Sequence, residues 1–275
     1  MISALFVIVL LTSLTAMVSA SARTSAGVSR NRQAQAEARA MAESGVLAAR
    51  VRFEAMLRAT GADSTRREAV FDLLEAQPAA APPAAPPQPW VADTLAGGVF
   101  AATIVNVSAR LDVNSAGAEG LARLFRTVAP PEVASRLARR IDEAVRGATA
   151  PRVQQEAAAA RDSLIGALLG QAAPPRIMQP IESLDALDAL AGEDAGVLAR
   201  VAEQLTVDGD GRIDRRHASR TVLAAASGSL VDAPTRVLVI SRGWAQESPL
   251  TREIQAVYAV EGNELRLVRW RERNR

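Results

Sequence analysis

The chain has 275 residues, enough for one large domain or two small ones, and a formal net charge of only +2. It contains no Cys and a single His, His217. These counts exclude a disulfide framework, a Cys-based zinc site and a His-rich metal site. The small net charge argues against non-specific binding of nucleic acid by the chain as a whole.

Residues 2–22 contain no charged residue, no Pro and no Gly. A helix rises about 1.5 Å per residue, so this stretch matches the roughly 30 Å hydrocarbon core of a bilayer. A single span must satisfy its own backbone hydrogen bonds in lipid. We therefore predict a transmembrane helix over residues 1–22, with Arg23 at its aqueous end.

Three interpretations of this stretch stay open. The sequence Ala20-Ser21-Ala22 resembles the cleavage site of a secretory signal, but no basic residue precedes the apolar run. As an ordinary anchor, the span would leave the rest of the chain in the cytoplasm, because Arg23, Arg30 and Arg32 all follow it. A short basic leader removed just before Met1 would reconcile these charges with a periplasmic orientation.

Residues 23–60 are predicted to continue this helix into water. Good helix formers dominate, and no Pro interrupts the chain between Ile2 and Thr60. Apolar and small residues recur at helical spacing, so one stripe should pack on a globular domain. The stripe comprises Met41, Ala42, Gly45, Ala49, Phe53, Met56 and Leu57.

The sequence ARAMAESGV at residues 38–46 carries a family resemblance. An uncharged span continuing into such an amphipathic helix resembles the type IV pilin-like superfamily, and this motif resembles the K-type minor pseudopilins (GspK) of the type II secretion system. Pilin-like proteins usually carry Glu at mature position five. The position is Leu5 here, and K-type subunits resemble the chain in lacking that Glu. The resemblance implies prepilin-peptidase processing before Met1 and helix packing in the membrane through Leu5, Val9, Thr12 and Ala16.

Residues 61–109 are predicted to begin a globular head. Residues 61–77 have a capping start and apolar spacing that predict a short helix. Residues 76–89 are a low-complexity Pro/Ala segment, which predicts an extended loop. Residues 99–107 are apolar and β-branched, and this pattern predicts a buried strand.

Residues 110–210 are predicted to form an inserted helical domain. A short strand at residues 110–113 leads into Asn114-Ser115, a predicted helix N-cap. Capping and apolar spacing predict further helices over residues 116–128, 132–147, 152–170, 181–190 and 193–205.

Two segments form a weak internal repeat. RLDVNSAGAEGLA, from Arg110, and RIDRRHASRTVLA, from Arg212, align without gaps, and each predicts a short strand, a cap and a helix. They resemble the paired elements that flank the inserted helical domain of the K-type family. The second copy departs further from that pattern, and its His217 is predicted to be a cap-like surface residue.

Residues 211–275 are predicted to complete the head as a meander, with alternating strands at 235–241, 253–260 and 264–270 and a tight turn at Gly262-Asn263. The expected fold is therefore α+β. It combines a long N-terminal transmembrane and amphipathic helix, a pilin-like antiparallel sheet head and an inserted all-helical domain.

Chemical signals are few. Asp208-Gly209-Asp210-Gly211 matches the centre of a calcium loop, and some K-type pseudopilins bind calcium, so Asp208, Asp210 and Asp214 are candidate calcium ligands. Thr206 and His217 stand where an EF-hand requires an acid and a Glu, which favours a simple acidic turn before a strand. We find no catalytic constellation, and we expect no enzyme and no cofactor beyond this possible calcium ion.

A membrane-anchored DNA-uptake protein is the alternative from another class. The segment from Arg110 also resembles a helix-hairpin-helix module, and nearby arginines could contact phosphates: Arg136, Arg139, Arg140 and Arg146. Such modules present backbone N–H groups from a Gly-rich hairpin. Residues 127–131 instead contain two Pro and no Gly.

The family resemblance implies a structural, non-enzymatic subunit, anchored in the inner membrane with a periplasmic head. It implies a place at the tip of a pseudopilus with I- and J-type minor pseudopilins, and contacts with the major pseudopilin and the inner-membrane assembly platform. The expected role is to start a fibre that exports proteins across the outer membrane. No nucleic-acid partner is expected.

Overall fold

The computed structural model describes residues 2–75, 90–146, 180–246 and 248–274, with side chains throughout except at residues 2–11, 13, 16, 18–20, 75 and 274. The loop predicted over 76–89 and the helix predicted over 152–170 lie outside the described residues. In chain order the elements are α1 (Ile2–Ala59), α2 (Ser64–Glu75), β1 (Val91–Leu95), β2 (Gly98–Asn106), β3 (Leu111–Asp112), α3 (Gly117–Phe125), α4 (Pro131–Arg146), α5 (Asp185–Ala191), α6 (Ala195–Val201), β4 (Leu205–Thr206), β5 (Ile213–Asp214), α7 (Arg220–Ala225), β6 (Leu230–Val231), β7 (Arg236–Ala245), β8 (Thr251–Glu261) and β9 (Glu264–Asn274).

The long N-terminal helix predicted from the sequence is confirmed, because α1 runs unbroken for 58 residues. Burial starts at Ala38, and the predicted stripe faces the protein interior, with Met56 half-buried and the rest of the stripe buried. In the part of the chain that the structure describes, no helix has both the length and the apolar character needed to cross a membrane.

The head is built on an antiparallel sheet with strand order β1-β2-β7-β8-β9. The predicted meander is confirmed as β7, β8 and β9, and Gly262 has φ of 60° in the turn between the last two strands. Strand β1 was not predicted, because its sequence, VADTL, lies on an exposed edge and shows little alternation.

α1 and α2 cover one face of this sheet and share a core with it, and together they form what we call the sheet unit. Phe53 of α1 is at the centre of this core, with its ring centroid 6.2 Å from that of Phe71 and 6.3 Å from that of Trp90. The core also contains Ala42, Val46, Ala49, Leu57, Ala102, Ile104, Val237, Val239, Ile254, Ala256 and Tyr258.

Residues 110–146 and 180–231 form a second body, the helical unit, with its own core. The helices predicted over 181–190 and 193–205 are shortened to α5 and α6, with 3-10 turns at Gly192–Asp194 and Ala202–Gln204. The core continues through Ile213, Val222 and Ala225, so the boundary predicted at residue 210 divides residues that pack together.

The internal repeat has a structural counterpart. β3 pairs in parallel with β4, placing Leu111 opposite Leu205, and β5 pairs in parallel with β6, placing Ile213 opposite Leu230. The two copies therefore use the same strand arrangement, each completed by a short strand from later in the chain.

The turns that follow β3 and β5 also match. The Asp112 carboxylate accepts a hydrogen bond from the N–H of Asn114, and its carbonyl accepts one from the N–H of Ala116. Asp214 makes the same two bonds to the residues two and four positions ahead of it. An Asp at this position thus holds each turn closed.

The predicted N-cap at Asn114-Ser115 is wrong. α3 begins after Ala116 and has no side-chain cap. Asn114 instead bridges segments, donating to the carbonyls of Ile181 and Val207 and accepting from the N–H of Ile181. The reason is that the amide can satisfy backbone groups of two other segments, which a helix cap would leave unpaired.

Candidate functional site

The face of α1 opposite its buried stripe carries no charge over about four turns. It comprises Ala40, Ser44, Leu47, Val51 and Ala55, at spacings of three and four residues. The two largest, Leu47 and Val51, are 60% and 54% exposed. An apolar face of this kind on the solvent side of a helix is a candidate contact surface.

The charged residues of α1 lie beside this face and are used within the sheet unit. Arg39 pairs with Glu272 of β9 at 2.7 Å, and Arg50 pairs with Glu54 at 2.9 Å. Burial acts to raise the pKa of Glu54, but the hydrogen bond from the N–H of Leu265 and the ion pairs with two arginines of α1 outweigh it, so the pKa is lowered. Glu54 is therefore an ionised anchor between α1 and β9.

The N-terminal part of α1 precedes the buried residues of the helix. Between its start and Ala38 the helix is about 54 Å long. Of the residues expected to pack in a membrane, Leu5, Val9 and Ala16 have side chains outside those described, and Thr12 is exposed. Their role stays a prediction.

The opposite face of the sheet meets the helical unit through arginines. Side chains alternate along a strand, and the side chain of Glu272 pairs with Arg39 of α1, so its neighbours Arg271 and Arg273 point away from α1. We call Arg236, Arg269, Arg271 and Arg273, together with their partners in the helical unit, the arginine joint.

Asp208 is at the centre of the arginine joint. Its carboxylate pairs with Arg271, and the Arg269 guanidinium is 3.6 Å away. Arg236 donates to the carbonyls of Asp208 and Gly209 at 3.1 and 2.6 Å. The loop is therefore held through both its backbone and its carboxylate.

The edge of the helical unit near α5 makes the outer contacts of the joint. Arg273 pairs with Asp185 at 2.9 Å and donates to the hydroxyl of Ser183 at 2.7 Å. Arg269 pairs with Glu182 at 3.4 Å. These acids are largely exposed, in contrast to Asp208.

The three candidate calcium ligands have separate partners. Asp208 is buried against arginines, Asp210 accepts from the hydroxyl of Thr235 at 3.1 Å, and Asp214 is buried and accepts from the side-chain amide of Asn106 at 3.0 Å. Within the described ranges, no group of three or more His, Cys, Asp or Glu side chains could hold a metal ion. Calcium binding stays a prediction.

His217 is not a surface cap, so that prediction is wrong. Ser219 caps α7 by accepting from the N–H of Val222. The imidazole of His217 lies between two carboxylates, with Nδ1 2.6 Å from Asp214 and Nε2 2.9 Å from Asp72 of α2. The histidine thereby joins the second repeat copy to the sheet unit.

A small cleft with a cavity volume of about 20 Å³ lies between the two repeat copies. Arg110, Asp112, Ser115, Arg212 and Ser227 line it. Burial raises the pKa of the Asp112 carboxyl. The cleft is below the roughly 300–1,000 Å³ typical of small-molecule sites, so it does not define a ligand pocket.

The arginines of α4 that could contact phosphates have partners within the helical unit. Arg136 pairs with Asp194 at 3.0 Å, and Arg140 donates to the carbonyls of Leu190 and Ala191 at the end of α5. These contacts give the arginines a structural role and weaken the case for a DNA-binding surface on α4.

Comparisons with known proteins identify a structural neighbour. No family model and no curated protein sequence matches the chain. Among solved structures, the chain is similar to one in the crystal structure of the GspK-GspI-GspJ complex from the type 2 secretion system of enterotoxigenic Escherichia coli. The identity is 13%, the match covers 68% of this chain and 84% of that chain, and the TM-score is 0.46.

Proposed function

We propose that the chain is a non-enzymatic minor pseudopilin of a type II secretion system, held in the inner membrane by the N-terminal part of α1, with its head in the periplasm. The observation that carries the proposal is the construction of α1. One 58-residue helix packs on an antiparallel sheet through one face of its C-terminal part and leaves the opposite face uncharged. Such a helix has room for neighbouring helices both beside the head and beyond it.

The proposed partners contact different parts of α1. The I- and J-type minor pseudopilins pack beside the face of Ala40, Leu47 and Val51, while the major pseudopilin and the assembly platform engage the N-terminal part. The helical unit, attached to the other side of the sheet, adds bulk that suits a subunit at the pseudopilus tip. Assembly of these subunits would start the fibre that exports proteins across the outer membrane.

Crosslinking tests the lateral contact. A photo-crosslinking residue in place of Leu47 or Val51, in the full-length protein expressed with its I- and J-type partners, should capture those partners. Leu73 of α2 is a matched control, because it is apolar and 45% exposed but lies on another helix. Capture from position 73 that equals capture from position 47, or no capture from positions 47 and 51, would contradict the proposed surface.

The mass of the N-terminal peptide tests the anchor. In the host, with the upstream region included, we expect an N-methylated Met1 after loss of a leader. Cleavage after Ala22 would instead release the head from the membrane and would contradict the pseudopilin proposal.

Calcium is the one ion that the sequence suggests, through Asp208, Asp210 and Asp214. Melting curves with added calcium and with a chelator test this part separately, since the three aspartates lie outside α1.

A further inference from the structure

The sheet unit and the helical unit have separate apolar cores. A third, smaller cluster, Val107, Leu238 and Val257, belongs to the sheet unit and contains no residue of the helical unit. The polar contacts between the two units therefore decide how the helical unit is oriented on the sheet.

These contacts fall into two groups. One group surrounds the second repeat copy, where Asp214 accepts from Asn106, His217 contacts Asp72, and Arg216 pairs with Glu68 of α2 at 2.5 Å. The other group is the arginine joint, which holds the opposite edge of the helical unit against β9.

Burial separates the contacts within the arginine joint. The Asp208 side chain is 4% exposed and that of Arg271 is 17% exposed, whereas Asp185 and Glu182 are 77% and 78% exposed. Exposed ion pairs are weak and are screened by salt. A buried pair adds little net stability, yet removing one partner leaves an uncompensated charge in a low-dielectric place.

The pair is also incompletely satisfied. Among the described residues, Asp208 Oδ1 and Arg271 Nε are buried atoms without a hydrogen-bond partner. A contact optimised only for stability would satisfy both atoms. A contact that requires opposite charges at one place penalises every orientation in which those charges are separated and still buried.

We propose that the buried Asp208–Arg271 pair is an orientation lock, which selects one position of the helical unit on the sheet. When the lock is broken, the edge bearing α5 and Asp208 lifts from β9, and the helical unit turns about the contacts of Asp214 and His217. The proposal concerns how the two units are oriented and does not depend on the proposed role in secretion.

Distance measurements on the full-length chain in detergent test the lock. The sequence has no Cys, so spin labels can be placed at engineered Cys residues replacing Ala55 of α1 and Glu203 of the helical unit, both exposed. We expect a single narrow distance distribution in the otherwise unaltered protein. Asp208→Asn or Arg271→Met should at least double its width or add a second distance, while circular dichroism stays unchanged.

Arg273→Ala is the matched control, because its acidic partner is exposed, and it should keep the narrow distribution. The double variant Asp208→Asn/Arg271→Met separates orientation from stability, since no buried charge remains unpaired. It should recover the melting temperature while its distances stay broad. A narrow, unshifted distribution in the double variant, or in both single variants, would overturn the proposal, and the double variant decides if a single variant does not fold.

Discussion

The two faces of the sheet are covered by different kinds of contact. α1 lies so close to one face that glycine is required: a Cβ at Gly243 would overlap the backbone of Ala38 and Ala42, and one at Gly45 would overlap the hydroxyl of Ser241. The helical unit reaches the other face through the long side chains of the arginine joint. The α1 contact is determined by shape, and the helical-unit contact is determined by charge.

This difference predicts which kind of substitution weakens each contact. A close-packed contact depends on volume, because neighbouring atoms cannot move aside for one more methyl group. An ionic contact tolerates changes of volume at its rim but not the loss of one buried partner. Substitutions that change volume or charge alone should therefore act on one face and not on the other.

The largest effect is expected at the centre of the α1 contact. Phe53→Ala should lower the free energy of unfolding by about 3–5 kcal/mol, because it opens a cavity beside Phe71 and Trp90. Urea titration measures it. Leu47→Ala, on the exposed face of the same helix, should stay within about 0.5 kcal/mol. A loss below 1 kcal/mol at Phe53 would mean that the α1 contact is not tightly packed.

Adding a single methyl group tests the close approach. Gly243→Ala should cost about 1–3 kcal/mol, since its Cβ would meet backbone atoms of α1 that cannot rotate away. Gly196→Ala, in α6, is the control: no atom lies within 4 Å of its Cβ, and alanine there should stabilise by up to about 1 kcal/mol. Equal changes in the free energy of unfolding at the two glycines would mean that the contact between α1 and the sheet does not depend on its close fit.

Lowering the pH should change the stability contributions of two carboxylates, Glu54 in the sheet unit and Asp112 in the helical unit, in opposite directions. The folded-state pKa of Glu54 is lowered, so its contribution to stability is present above the unfolded value near 4.5 and is lost as the pH falls through the folded value. The folded-state pKa of Asp112 is raised above 3.8, so the folded protein binds a proton first and gains stability as the pH falls through that window.

Stability curves between pH 3 and 7 therefore separate these two groups. Glu54→Gln should flatten the acid loss of stability, and Asp112→Asn should steepen it. The reverse pattern, or parallel curves for both variants, would contradict the assigned directions.

The smallest effect is expected at the rim of the arginine joint. Arg273→Ala should change stability by about 0–1 kcal/mol, because Asp185 is exposed and keeps its water. The change should shrink further in 1 M salt. A loss as large as that of Phe53→Ala would show that the rim pairs, and not Asp208, hold the joint.

Local patterns predicted the elements that carry strong periodicity. The stripe from Met41 to Leu57, the meander and the repeat all follow from side-chain spacing within a few turns or strands. The arginine joint could not be predicted in this way. Arg271 alternates correctly on its strand, but its partner Asp208 lies 63 positions earlier, and nothing local selects that carboxylate from the many others.

The calcium-like motif has a packing explanation that sequence alone does not reveal. A Cβ at Gly209 would come within 2.5 Å of the Asp112 side chain, and Gly211 has φ of 79°. Gly209 is therefore required by its close approach to the first repeat copy, and Gly211 is favoured by its left-handed backbone conformation. A Gly-rich acidic turn of this kind resembles a metal loop because both structures need small residues and backbone freedom.

Since α1 is one uninterrupted helix, residue number sets the direction in which its N-terminal part faces relative to the head. One residue added between positions 24 and 37 would rotate that part by about 100° and lengthen the helix by about 1.5 Å. Seven added residues would restore the direction to within about 20° while adding about 10 Å. The length of this segment therefore sets both the direction and the distance of the N-terminal part relative to the head, and neither can be changed without the other.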